Sequence, residues 1–210
     1  MSKERNIDTL PLDGGVLCFD FINTVHSWKE ANQHEYLDSY TALVQWSGKV
    51  EILSAQKRKQ LRQYASRHIE PAGKALEKIK EVRQLLYELF AAVAAGNIST
   101  LPDNRLHTFN TVLSAALSHI RFSKSKASLE QSWEENDTDL LQPLWVVMKS
   151  AYDVLTTEDP QRIKECPACG WMFLDQTKNN KRRWCNPHSC GSIEKTKKYY
   201  QKKKQETANV

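Results

Sequence analysis

Glycine and proline are scarce, at 7 residues each among 210, which argues against a collagen-like or linker-dominated chain. No apolar stretch approaches the ~18 consecutive residues of a membrane span. The opening MSKERNIDTLPLDGG lacks the apolar run of a secretory signal. The expectation is a cytoplasmic chain without a membrane partner. Neither a phosphate-binding glycine loop nor a nucleophile elbow is present, and the six histidines are dispersed without ligand or triad spacing. An enzyme is therefore not expected. Cysteine is sparse too, but its five residues are unevenly placed: Cys18 stands alone, and Cys166, Cys169, Cys185 and Cys190 crowd one short segment.

What the chain does have is enough apolar sequence for a core, 40% of residues, and 26% charged residues to keep it soluble. The charge is divided. Residues 161–210 carry 12 Lys+Arg against 4 Asp+Glu, a net +8, while residues 1–160 carry 18 against 21, a net −3. A mildly acidic body with a strongly basic end suggests a polyanionic partner for that end, although a solvated lysine tail has the same composition.

Hydrophobic periodicity divides the body into elements. The nearly continuous apolar run GGVLCFDFINTV, residues 14–25, reads as a buried strand. Ser39 and Ser54 are placed to cap two helices, the second over about 55–68. The strongest helix spans about 72–95, where Ile79, Val82, Leu86, Leu89, Phe90 and Val93 form one stripe and Gly96 ends it. A helix over about 103–117, two strands around SKSK within 118–135, and a helix over about 138–156 complete the body. Pro160 marks the boundary. The fold class expected is α+β: a mostly helical body with a small antiparallel sheet over 1–160, then a small module over 161–210.

In that module, Cys166-x2-Cys169 and Cys185-x4-Cys190 are two close pairs fifteen residues apart, a structural zinc pattern. Zinc takes four ligands in a tetrahedron at ~2.3 Å from each sulfur, so two pairs from separate segments can close one site. One structural Zn²⁺ is the cofactor expected. His188 lies inside the second pair and could replace a cysteine, but with four thiolates available it reads as a residue at the surface or beside the ligands. Trp171 to Leu174 reads as a strand leaving the first knuckle, QTKNNK as a turn, and Arg183 to Cys185 as the returning strand. From Gly191 a helix follows. Knuckle, hairpin and ligands at a helix start describe a treble clef.

On the terminal helix Ile193, Thr196 and Tyr200 share one side, expected against the hairpin. Lys195, Lys198 and Lys202 share the other, and with Arg182 and Arg183 they are the candidate nucleic-acid contacts.

CPACGWMFLDQTKNNKRRWCNPHSCGS resembles the C-terminal zinc finger of the CGNR family, through C-x2-C, the W-x-F-x-D strand, N-x-x-RRWC and C-x4-CG. GGVLCFDFINT and KIKEVRQLLYELF resemble the ABATE domain that precedes this finger. The resemblance implies Cys166, Cys169, Cys185 and Cys190 as metal ligands and a DNA-binding transcription regulator, often described as stress-related. An RNA- or protein-binding module is the alternative. One departure stands out: the signature Cys-Gly-Asn-Arg reads Cys190-Gly191-Ser192-Ile193 here. Ser192 retains the capacity to cap a helix, whereas Ile193 cannot do the work of an arginine.

Within the body, Asp20 lies in the apolar run and needs a partner or a cavity. Arg83, on the inward stripe of the long helix, is the expected ion-pair partner. Asp20, Asn23, Thr24 and Arg83 could line the pocket of a small-molecule effector, or form a buried network that specifies the fold. The body could also support a homodimer. Cys18 reads as a core residue, and Trp28, Trp46, Trp133 and Trp145 as core or interface aromatics.

Overall fold

A computed structural model describes residues 5–31 and 34–208; the side chains of residues 198 and 202–208 lie outside the described set. The body comprises helices α1 (Leu17–Ile22), α2 (Tyr40–Lys49), α3 (Ala55–Arg67), α4 (Ile69–Ala94), α5 (Asp103–Leu117) and α6 (Gln142–Thr157), with strands β1 (Ile120–Lys124) and β2 (Leu129–Trp133) between α5 and α6. Strands β3 (Ile163–Glu165) and β4 (Met172–Leu174) and helix α7 (Cys190–Ala208) follow. The chain is α+β and mostly helical, with two small antiparallel sheets. Among the described residues no helix is long and apolar enough to cross a membrane.

Local chemistry accounts for the helix limits. The Ser39 and Ser54 hydroxyls accept the amides of Ala42 and Lys57 at 3.1 and 3.2 Å, satisfying first-turn donors of α2 and α3. Gly96, at φ +63°, lets the Gly96 and Asn97 amides turn back onto the Val93 and Ala92 carbonyls, closing α4 in a Schellman motif. Helix α4 is the spine of the body, with Ile79, Val82, Leu86, Leu89 and Phe90 buried.

Residues 17–22 are a helix, not the expected strand. Cys18, Phe19, Phe21 and Ile22 are all at most 1% exposed, so α1 is covered by protein on nearly every side and its sequence shows no polar face. It lies between α4 and α6. Phe19 meets Phe90 edge to face at 4.9 Å, Phe21 meets Trp46 at 5.5 Å, and the Cys18 amide donates to Ser150 Oγ at 3.1 Å. Cys18 is thus a core residue, its thiol pushed up to about 12 by burial.

The hairpin expected around SKSK is present, in the register Ile120↔Trp133 to Lys124↔Leu129. The hairpin expected in the module is not formed as read. Strand β4 pairs with β3, Ile163↔Leu174, and residues 183–185 form no strand. The Arg182 amide donates to Asp175 Oδ2 at 2.8 Å instead of to a ladder carbonyl, which turns the returning chain away from β4.

The module is docked on the body through hydrogen bonds that each use at least one backbone group. Asn23, 1% exposed, donates Nδ2 to the Met172 carbonyl at 2.8 Å and accepts the Met172 amide at 2.9 Å. Trp171 Nε1 donates to the Val25 carbonyl, the Leu174 amide to the Gly14 carbonyl, and the Trp28 amide to the Cys169 carbonyl. Gly14, Asn23, Val25 and Trp28, all within residues 14–28, therefore hold one strand and one knuckle.

Candidate metal centre and basic helix

The Cys166–Cys169 knuckle closes through the Gly170 amide on the Cys166 carbonyl and the Cys166 amide on the Trp171 carbonyl, both 2.8 Å. Gly170 is required twice over. Its φ is +78°, and a Cβ there would stand 2.8 Å from Trp28 Cβ. Body residues clamp the knuckle from outside: Ser27 Oγ donates to the Cys169 carbonyl, and Lys29 Nζ reaches the Pro167 carbonyl at 3.1 Å and Glu165 at 3.4 Å. The second pair is set by Asn186, whose Oδ1 accepts the His188 and Ser189 amides just before α7. Cys190 is the first residue of α7, so Ser192 sits inside its first turn, not at the cap.

These turns bring all four sulfurs within 4.8 Å of one another. The Cys169–Cys185, Cys185–Cys190 and Cys169–Cys190 edges are 3.6, 3.6 and 3.7 Å. Zinc–sulfur bonds of about 2.3 Å at tetrahedral angles place sulfurs about 3.8 Å apart. The thiols are free of disulfides. Without a cation, hydrogen bonds from Cys169, Cys185 and Cys190 pull the Cys166 thiol far below its usual range, while Cys169 and Cys185 are pushed far above it. Only a bound cation lets four sulfurs this close ionise together. Donor type, number and spacing all fit one structural zinc ion, with Cys166, Cys169, Cys185 and Cys190 able to hold it. His188 is exposed and outside the cluster.

The cationic residues separate into two groups. Arg182 is half-buried: Nε donates to the Trp184 carbonyl at 3.0 Å, Nη2 to the Cys185 and Asp13 carbonyls, and the guanidinium lies 4.7 Å from the Phe173 ring centre. It braces the strand end and the third ligand. Arg183 and Lys195 are exposed, and so is Lys197, which pairs with Glu194 at 3.0 Å. Lys198 and Lys202 lie on α7, but their side chains fall outside the described residues. The apolar side of α7 does not pack on the hairpin: Ile193 is 53% exposed and Tyr200 64%, and Thr196 is exposed.

The four polar residues of the body do not share one environment. Arg83 pairs with Glu35, Nη2–Oε2 at 2.5 Å and Nη1–Oε1 at 2.8 Å, and donates to Thr24 Oγ1 at 2.8 Å. The expected Asp20–Arg83 pair is therefore replaced by Glu35–Arg83. Asp20 Oδ1 instead accepts the Gly14 amide at 2.9 Å, and burial raises its pKa to about 6. Burial also pushes Glu35 upward, but the Arg83 hydrogen bonds and charge outweigh it and leave Glu35 below its ordinary value. Asn23 faces Met172, as described above.

Sequence reading assigned no role to three positions, of which two organise the module and one the body. Asp175, fully buried, accepts the Thr177 amide and hydroxyl and the Arg182 amide; these bonds overcome burial and lower its pKa. Asp13 receives Asn186 Nδ2 at 3.1 Å. Glu35 sits in a polar loop with no pattern to mark it.

Fold and site together define a zinc-binding protein in which a helical body carries a four-cysteine finger. Residues 15–158 match the model of the ABATE family, described as "Putative stress-induced transcription regulator", and residues 162–203 match the CGNR zinc finger. The chain belongs to the ABATE family and ends in a CGNR finger. A comparison with curated proteins finds none that matches.

Proposed function

We propose that this protein is a DNA-binding transcription regulator in which zinc fixes the start of α7 and thereby presents a basic helix to the phosphate backbone. The observation that carries this reading is the continuity between ligand and rod. Cys190 opens a 19-residue helix that carries exposed Lys195 and Lys197, with exposed Arg183 just before the third ligand. Arg182 leaves the contact set, since its guanidinium is spent on backbone carbonyls. Residues 161–210 act as the contact unit, of treble-clef type, and residues 1–160 as the cytoplasmic regulatory unit, with no catalytic role. The body also offers a homodimer surface: Phe122 and Leu129 lie on one face of the β1–β2 hairpin, 65% and 67% exposed. A light-scattering mass tests that part.

The test of DNA binding is a salt titration with duplex DNA. Each phosphate neutralised contributes about −0.9 to the slope of log affinity on log salt, so about five contacts give roughly −4 to −5. Lys195→Glu with Lys197→Glu should flatten that slope and weaken binding at unchanged zinc content. A salt-independent affinity would contradict the reading.

A second reading has its own observation. Ile193, Tyr199 and Tyr200 are more than half exposed on α7, and aromatic residues among lysines also suit unpaired RNA bases or a protein surface. Affinities for duplex DNA, structured RNA and heparin, measured side by side, separate these partners.

A further inference from the structure

Residues 52–69 hold five cations, Lys57, Arg58, Lys59, Arg62 and Arg67, and no carboxylate, although residues 1–160 as a whole are net negative. Two of the five are tied into the body: Lys57 pairs with Asp137 at 2.7 Å, and Arg58 donates Nη1 to the Leu53 carbonyl at 3.2 Å. The other three, Lys59, Arg62 and Arg67, are exposed and form no ion pair among the described residues. With exposed Gln63 and Ser66 they stand on α3 at offsets of 0, 3, 4, 7 and 8, one continuous stripe without an apolar or acidic side chain.

The helix behind that stripe is fixed. Ser54 caps it, Leu61 is its buried residue, and Tyr64 and Ala65 pack against the core. At the far end the His68 ring stacks on Tyr64 at 4.0 Å. Helix α4 treats its surface charge differently: Lys74, Lys78 and Lys80 each have a glutamate, Glu70, Glu81 and Glu77, within 3.5 Å. Interleaved signs of that kind support a helix, whereas Lys59 and Arg62, three residues apart, repel each other until an anion lies over them.

We propose that α3 is a second contact for duplex DNA, with Lys59, Arg62 and Arg67 on phosphates and Gln63 and Ser66 hydrogen-bonding beside them. The stripe covers about 12 Å of helix axis, and a duplex carries one phosphate charge per about 1.7 Å, enough for all three cations to find partners. A lipid surface would call for large apolar side chains among the cations. None stands in the stripe; Ile69, exposed at the start of α4, lies beyond it. The inference rests on the reading of this chain as a DNA-binding protein and extends it from the finger to the body. These contacts add to the finger's, so the wild-type salt slope is steeper than five contacts alone would give.

The test is the affinity of the full-length, zinc-loaded protein for a mixed-sequence DNA duplex, measured across salt for wild type and three variants. Lys59→Gln with Arg62→Gln and Arg67→Gln should make the slope of log affinity on log salt shallower by roughly 2.7, at about 0.9 per phosphate. The wild-type advantage over it then shrinks about fortyfold between about 50 and about 200 mM salt. Glutamine, a good helix former, should leave helical content and zinc content unchanged. Lys74→Gln with Lys78→Gln and Lys80→Gln removes the same charge from α4 and should keep the slope within about 1 of wild type. An unchanged slope in the α3 triple would overturn the proposal, and so would an equal fall in both triples, since net charge alone would then explain the binding. Tighter binding of phosphatidylserine vesicles than of duplex at equal salt would overturn it as well. Lys195→Glu with Lys197→Glu separates the two readings. If the finger contact alone fails, that variant binds as wild type while the α3 triple still flattens the slope; if the α3 contact alone fails, the reverse is seen.

Discussion

The body and the finger solve the problem of holding a chain together in different ways. In the body the work is done by burial: Phe19, Phe21, Trp46 and Phe90 are all sealed from solvent, and α1 has apolar contact on nearly every side. The finger has a small apolar group of its own, Ile163 with Trp171 to Leu174, and that group is pressed against the body through Asn23 and Gly14. Beyond β4 the chain is organised by four sulfurs and by Asp175. The body can therefore tolerate exchange of one apolar residue for another of similar size, whereas the finger depends on particular atoms at particular distances. Metal binding of about 10–16 kcal/mol in apparent terms is available to replace a core there.

The largest effect expected from breaking this contrast is loss of one ligand. Cys185→Ser should abolish zinc binding and release residues 185–208, seen as fast amide exchange confined to that segment, while α4 and α6 stay protected. If the body unfolded with the finger, the two regions would be one cooperative unit. Next is Phe19→Ala, which should cost about 3–5 kcal/mol in denaturant unfolding by leaving a cavity beside Phe90. Zinc stoichiometry should remain one per folded chain.

Arg83→Met should destabilise the body by roughly 3 kcal/mol, because it leaves Glu35 half-buried without its cation. Since Glu35 is lowered in the folded state, its contribution exists above its ordinary pKa and is lost as pH falls through the folded value. The gap between wild type and Arg83→Met should accordingly shrink in acid. Asp20 has the opposite sign. Its folded value is raised from 3.8 to about 6, so its contribution is complete below the unfolded value and disappears as pH rises through 6. Asp20→Asn keeps the acceptor for the Gly14 amide and should be more stable than wild type at pH 7 and above, by up to about 3 kcal/mol, with the difference vanishing near pH 4. Melting temperatures across that range check both signs.

Legibility in the sequence follows the same division. Helices with one wet face were readable: Ser39, Ser54 and Gly96 marked ends, and the stripe on α4 marked its buried side. Helix α1 was not, because an apolar run without a polar face has no period to distinguish a buried helix from a buried strand. The metal ligands were fully legible, since cysteine pairs at that spacing serve few other purposes. The partner of β4 was not, because Ile163–Glu165 is too short to show alternation. Arg83 was correctly placed inward by spacing, but its partner could not be chosen among carboxylates: Glu35 lies in an unpatterned loop, and only the folded chain brings it to α4. For Arg182, Lys195 and their neighbours, composition showed the charge but not its use. Arg182 folds back onto carbonyls, and Lys195 faces solvent.

The most direct measurement is duplex DNA affinity followed against zinc occupancy in the full-length chain, with helical content recorded at each point. The account expects affinity to fall in proportion to zinc removed and to return when zinc is restored, with the helices of the body unchanged. A metal-free chain that binds duplex DNA as tightly as the loaded one would contradict it.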